Sequence, residues 1–300
     1  MEIRVLKYFL TIAREENITR AAEQLHITQP TLSRQMMQLE EELGVRLFRR
    51  NRVSVTLTEE GRLLRRRAQE ILELAEKAEQ EIILNRETVT GTIGIGCGET
   101  RNMEGLSRLM TSFRQHYPEV VFHIYTANAD DVKEKLENGT LDFGLLLEPV
   151  EISRFNFVRM PLRERWYLLM RRDSPLAEKE TITPADLVGV PLIVARRHSV
   201  RNELDNWFGD YYRRMHVVTT VNLSYNNCSI MVENHVGVAL VHDFEVPGNA
   251  LCLRPLSPEI GNNSVLVWRK EQVFPPAVTK FIEHVRTTAP LLKRRMQYPV

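Results

Sequence analysis

Two groups of residues in this chain have the types and spacing to do chemistry with a partner. The first lies between Gln29 and Arg52. Thr28 can cap a helix whose Leu32, Met36, Leu39 and Leu43 fall within one narrow arc at 100° per residue, which turns that side to a core. The opposite side presents Pro30, Ser33, Arg34 and Met37, with Gln29 and Thr31 at its N-terminal end. Arginine and glutamine side chains match the edges of guanine and adenine in the major groove. Arg46, Arg49, Arg50 and Arg52 then cluster around Asn51 before VSVTL, where a basic hairpin would grip phosphates. Taken alone, this spacing serves equally well for a solvated basic face on a three-helix unit that never touches DNA.

The second group follows Gly94, Gly96 and Gly98. Glu99 occupies the place of the third glycine of a G-x-G-x-x-G dinucleotide fingerprint, so that motif fails. The glycines are expected instead to permit a tight turn into a helix whose N-terminal amides face a cleft. Cys97, Cys228 and Cys252 form no C-x-x-C pair, and a buried, inert thiol is expected of Cys97. His235, His242 and Asp243 lack metalloprotease spacing, and Ser199 lies in no G-x-S-x-G elbow. Neither metal, cofactor nor hydrolytic chemistry is expected.

The elements that position these groups follow from periodicity. With 300 residues, about two domains are expected. Hydrophobic residues at 43% and a net charge of +1 belong to a globular chain, not a disordered one. Val5, Leu6, Phe9, Leu10 and Ala13 predict a first helix, and Thr19 can cap a second over Arg20 to Leu25. So short a connection to the third helix forces a steep crossing, which is a helix-turn-helix. Thr58 with Glu59 and Glu60 opens a helix expected to reach Glu87, about 43 Å long. Leu64, Ala68, Ile71, Ala75, Ala78 and Ile82 recur along it as a heptad seam, and its remaining charge argues for a partner helix and hence a dimer. From Gly91 onward TIGIG, VVFHIY, LDFGLLL, RWYLLMRR, PLIVA, VVTTVN, VGVALVH and SVLVW alternate with amphipathic stretches, predicting an α/β fold with largely parallel sheets. The expected organisation is residues 1–58 as a winged helix-turn-helix, 59–87 as a linker helix and 91–300 as a second, larger domain.

The run FLTIAREENITRAAEQLHITQPTLSRQMMQLEEELGVRLFRRNRVSVTLTEEGRLL resembles the LysR-type transcriptional regulators almost position by position. GTIGIG, FRQHYPEV, LENGTLDFGLL, SPLA, VPLIVA and VENHVGVALV extend the likeness to that family's effector-binding domain, which is similar to periplasmic binding proteins. The resemblance implies two subdomains around a cleft, 91–160 with 264–300 and 161–263, with chain crossings near Met160 and Asn263. It also implies base contacts from Gln29, Pro30, Ser33 and Arg34 and a wing contact from Arg52. Arg50 departs from the pattern, since many members carry an acid or a neutral residue there. For the effector site it implies Thr100 with Arg101 and Asn102 beside it, Ser199 on the opposite wall, and the loop at Asn128 and Ala129. Many relatives have Ser or Thr where this chain has Ala129, and that loss, with Glu99 near the mouth, weakens the expectation of a small carboxylate effector.

The expected partners are double-stranded operator DNA, a small-molecule effector and further copies of the chain, as a dimer and, by resemblance, a tetramer. RNA polymerase is a further candidate, and no membrane is expected. MEIRVLKYFLTIAREEN meets charge too soon for a signal peptide, so a cytoplasmic location is expected and a solute-binding protein is disfavoured. An enzyme with an accessory DNA-binding domain is the other alternative, disfavoured because no catalytic constellation is present.

Overall fold

The computed structural model describes residues 1–50, 55–83, 89–222, 225–246, 248–270 and 272–297, and the side chains of these except at 50, 80–83, 198–199 and 293–297. Arg52, the side chains of Arg50, Ile82 and Ser199, and the expected linker end at Glu87 therefore lie outside the described residues. The chain divides into two compact units, Met1–Leu84 and Asn85–Val300.

In the first unit, helix α1 (Ile3–Glu15) buries Val5, Leu6, Phe9 and Ile12. Helix α2 (Ile18–Gln24) begins two residues before the expected start. Asn17, not Thr19, is its cap, because the Asn17 Oδ1 accepts both the Thr19 amide at 2.9 Å and the Arg20 amide at 3.1 Å. Helix α3 (Gln29–Leu43) is capped by Thr28 and ends at Gly44. Leu32, Met36 and Leu39 are buried as expected, but Leu43 is 40% exposed. The core side of the last turn is taken by Glu40, only 5% exposed. Its Oε1 accepts from the Leu47 amide at 2.8 Å and the Phe48 amide at 3.2 Å, while Oε2 pairs with Arg46 at 3.0 Å. A charge is tolerated there because each oxygen has a partner.

Strands β1 (Phe48–Arg50) and β2 (Val55–Leu57) pair antiparallel as the wing. Thr58 Oγ1 then donates to Arg46 O at 2.7 Å and accepts from the Gly61 amide at 2.9 Å, which caps helix α4 (Glu59–Ile83) against the start of the wing. A Cβ on Gly61 would stand 2.2 Å from Leu47 O, so only glycine lets the two segments approach this closely. Ala68 is fully buried in the core that contains α1, and Leu64 packs against that core. These two seam positions are thus used inside the protomer. Ile71 at 38% exposed, Leu74 at 44% and the exposed Ala78 continue the apolar row beyond it.

The second unit is built on one curled sheet. Its elements in order are β3 (Gly91–Cys97), α5 (Met103–Arg114), β4 (Val120–Thr126), α6 (Ala129–Glu137), β5 (Phe143–Leu147), β6 (Phe155–Arg171), β7 (Pro191–Ala195), α7 (His198–Phe208), β8 (His216–Val221), α8 (Tyr225–Glu233), β9 (Val238–His242), β10 (Leu251–Pro255), β11 (Gly261–Arg269) and α9 (Pro276–Gln297). The strand order is β4-β3-β5-β11-β6-β9-β7-β8, with β10 beside β6. Pairing is parallel around β3 and β7, where βαβ crossovers place helices on the faces, but antiparallel wherever β6 and β11 take part. The expectation of largely parallel pairing is corrected on this point. A chain that runs out through both half-sheets and returns must set those two strands against their neighbours.

Strand β11 pairs β6 along 155–159 and again along 163–165, with a register break between Asn263 and Val265. The two strands therefore pass together from one half-sheet to the other. Separate cores lie on the faces of each half. In the first, Phe281 meets both Phe113 and Phe143 edge to face, with centroids 5.0 and 5.1 Å away, which docks α5 and α9. The second is built around Trp166, Leu168, Met170, Leu192 and Trp207. Gly94 and Gly96 lie inside β3, so of the three glycines only Gly98 stands at the turn that leads toward α5. A Cβ on Gly96 would stand 2.5 Å from Val132 Cγ1, so its role is to let α6 lie close on the sheet.

Candidate functional site

Helix α3 sets up the first candidate surface. Its inward side is spent on the core, and Gln29, Pro30, Thr31, Arg34 and Met37 are exposed on the outward side, with Ser33 half-buried among them. The Thr28 and Thr31 hydroxyls share a hydrogen bond of 2.8 Å, which fixes the helix start that carries Gln29. Arg46 and Arg49 stand exposed at the entry to the wing. An exposed row of short polar groups and one arginine on a helix, beside a basic hairpin, is the geometry for laying a helix in the major groove with phosphate contacts alongside.

The second candidate surface is a cleft of about 110 Å³ at the carboxyl ends of the parallel strands. Thr100, Asn128 and Ala129 line it from the half-sheet of β3, and Ala195, Arg197 and Val200 line it from that of β7. Arg101 and Asn102 do not line it. Arg101 turns to Asp243, with 2.5 Å between Nη1 and Oδ2. Asn102 is wholly buried, its Oδ1 accepting the Leu162 amide at 3.0 Å and its Nδ2 donating to Leu162 O at 2.8 Å and to Glu164 at 2.9 Å. Asn128 caps α6, accepting the amides of Asp130 and Asp131.

The centre of the cleft holds a residue that motif reading passes over. Glu164, 1% exposed, accepts the Thr100 hydroxyl, the Asn102 amide at 3.3 Å and the Asn102 side chain, with Ser264 Oγ at 3.4 Å. A signal for it exists in the sequence. Along β6 the inward positions are Met160, Leu162, Glu164, Trp166, Leu168 and Met170, and Glu164 is the one charge on that apolar side. Beside it the Trp166 ring packs on His242 with 4.0 Å between centroids. The Trp166 N–H lies near Glu203, whose carboxyl burial pushes up, without closing a hydrogen bond of normal geometry. His242 is held neutral, its pKa pushed down to about 4 by burial. Burial also raises the Cys97 thiol, which disfavours its thiolate.

Ion pairs span the cleft on either side: Arg101 with Asp243, and Arg197 with Asp130 at 3.2 Å. Among the described residues no group of histidine, cysteine and acidic side chains could hold a metal ion, and no helix is long and apolar enough to cross a membrane.

Residues 3–62 match the bacterial regulatory helix-turn-helix proteins of the lysR family, and residues 86–290 match the LysR substrate binding domain. The chain is 29% identical over 300 residues to the HTH-type transcriptional regulator BsdA of Bacillus subtilis (strain 168), covering 94% of this chain and 99% of that protein. It is 30% identical over 271 residues to the uncharacterized HTH-type transcriptional regulator YvbU of the same organism, covering 87% and 89%. Full-length CbnR, solved in complex with its target DNA, superposes with a TM-score of 0.73 at 26% identity, covering 96% of this chain and 100% of that one. An exposed reading helix beside a wing, a sheet traversed by two strands around a cleft, and family matches over both units make this chain a member of the LysR family of DNA-binding transcription regulators.

Proposed function

We propose that the chain reads a specific operator through α3 and that a small-molecule effector in the cleft between the two half-sheets adjusts that reading. The outward row Gln29, Pro30, Thr31, Ser33 and Arg34 carries the DNA half of the proposal, since those positions lie on the side opposite the buried Leu32, Met36 and Leu39. CbnR, a relative in fold, was solved in complex with its target DNA, which supports DNA as the partner of this chain. Arg50 and Arg52 are proposed as wing contacts to the DNA backbone. For the effector, Thr100, Asn128, Ala129 and Ser199 are proposed to surround the ligand, with Arg101 and Asn102 fixing the wall behind it.

Self-association accompanies both roles. Ile71, Ala75, Ala78 and Ile82 on α4 are proposed as the dimer seam, with a tetramer formed through the larger unit. A protein on operator DNA lies within reach of RNA polymerase, and the cytoplasm, where bacterial operator DNA resides, is its proposed location.

The test is competition binding at fixed salt, with DNA upstream of the adjacent gene as specific target and random DNA as competitor. Arg34→Ala is expected to weaken the specific site by about 1 to 3 kcal/mol and to leave random binding nearly unchanged. Equal loss on both would show that Arg34 contacts the backbone alone.

A further inference from the structure

Resting on the effector-cleft proposal, we infer that this cleft takes a small, largely apolar molecule with a nitrogen-bearing donor head, an amine or amide, and rejects a carboxylate at that end. The start of α5 is a ready-made anion site, because its first backbone amides lack partners within the helix. In this chain that site already has an occupant. Glu164 Oε1 takes the Asn102 amide, the Asn102 side chain, the Thr100 hydroxyl and the Ser264 hydroxyl. Among the described residues Oε2 receives a single long bond, from the Arg101 amide at 3.4 Å. A carboxylate offers about four acceptor sites, so Oε2 keeps capacity, and Glu164 is one of the residues that line the cleft. An incoming carboxylate would meet a buried charge of its own sign, with Glu99 on the same lining. An N–H donor would meet an acceptor.

A separate observation points to a ligand at this place. His242 lines the cleft at 9% exposed, and its Nε2 has no hydrogen-bond partner among the described residues. Buried polar atoms are nearly always paired in native structures, so this orphan calls for a partner from outside the chain. The neutral imidazole donates or accepts according to tautomer. An amide head can thus donate to Glu164 Oε2 while its remaining polar atom serves His242. Leu145, Leu147, Val200 and Leu240 supply an apolar lining for the rest of the molecule.

The experiment uses three probes that share one ring and differ at the head: benzylamine, benzamide and benzoate, titrated calorimetrically into the full-length protein. At least one nitrogen probe is expected to bind tenfold or more tightly than benzoate. Glu164→Gln, which keeps the shape and removes the charge, is expected to narrow that preference at least tenfold. His242→Phe keeps an aromatic ring and removes the orphaned ring nitrogen, and is expected to weaken the nitrogen probes severalfold while leaving benzoate unmoved. Benzoate binding as well as or better than both nitrogen probes, or no probe binding at millimolar concentration, overturns the inference. Operator binding in the same samples separates this result from the effector proposal. A bound amine that leaves operator affinity unchanged would refute the effector role and keep the ligand class. Tight benzoate binding that shifts operator affinity would do the reverse.

Discussion

Arg101 and Asp243 close a 2.5 Å ion pair between the turn that opens α5 and the residue after β9, so it ties the half-sheet of β3 to that of β7. Arg197 and Asp130 make the reciprocal tie at 3.2 Å, with the signs exchanged between the halves. All four residues line the cleft or adjoin residues that do.

Both pairs are partly exposed, at 47% and 28% for the first and 15% and 68% for the second, so each should contribute no more than about 1 kcal/mol to folding. Opening is a smaller event than unfolding and should respond more visibly. Arg101→Ala with Asp130→Asn is expected to leave the melting temperature within a few degrees of the parent while speeding hydrogen exchange at the amides of 98–102 and 195–200. Unchanged exchange in the double variant would mean that the half-sheets are held by other contacts.

Asn102 presents the opposite case, a fully buried side chain whose polar atoms are all used. Asn102→Ala would strip partners from Leu162 and Glu164 together. Each buried group left unsatisfied costs about 1 to 3 kcal/mol, so a loss of about 2 to 4 kcal/mol is expected in the unfolding of the larger unit. Denaturant melts followed by tryptophan fluorescence would report it, since Trp166 and Trp268 are buried there. A loss below 1 kcal/mol would show that water replaces the amide without penalty.

Which parts of this molecule can be read from its sequence follows from how local each cause is. Thr28, Pro30 and Gly44 bound α3 by backbone chemistry that involves only neighbours, and α3 appears between those limits. Asn17 and Thr19 are both competent caps, and the choice between them rests on where the chain leaves α1, which no local pattern encodes. Leu43 and Glu40 invert the hydrophobic rule because the wing, distant in sequence, brings the amides of Leu47 and Phe48 to the acid. Ala68 fits a heptad equally well whether its neighbour is a second chain or α1, so periodicity alone could not assign it. In the cleft, Thr100 was accessible to motif reading, whereas Glu164, His242 and Trp166 come from three-dimensional convergence of β6 and β9. Only the lone charge on an apolar strand face announces them.

His242 gives a pH dependence with a definite sign. Its pKa falls from the ordinary 6.5 to about 4 on folding, because burial disfavours the cation. Between these values the unfolded chain binds the proton and the folded one does not, so stability rises with pH in that window. The stabilising contribution is complete above about pH 6.5 and is lost as pH falls toward 4. It amounts to about 3 kcal/mol, at roughly 1.4 kcal/mol per unit. His242→Gln is expected to flatten the stability profile of the larger unit between pH 6.5 and 4 by about that amount. Parallel profiles for parent and variant would place the acid sensitivity elsewhere.

The linker helix supplies the last prediction. Burial of Ala68 and Leu64 against the core of the first unit leaves α4 with an apolar row that begins at Ile71 and runs through Leu74, Ala75 and Ala78. Ile71 and Leu74 are 38% and 44% exposed, more than a core helix would leave to water. Between them lie Glu73 and the half-buried Leu72, and Glu76, Lys77 and Glu79 follow, so the row is a stripe on a charged helix. Such a stripe is stable when a second copy covers it. Ile71→Glu would place a carboxylate in that seam and is expected to halve the assembly in analytical ultracentrifugation, and with it the cooperative filling of paired operator half-sites. Leu64→Glu should act differently, because Leu64 packs within the protomer. It is expected to lower the melting temperature of the first unit before any change in assembly appears. If Ile71→Glu lowered stability without dissociating the protein, and Leu64→Glu dissociated it without loss of stability, the seam would have to be moved back to the start of the helix.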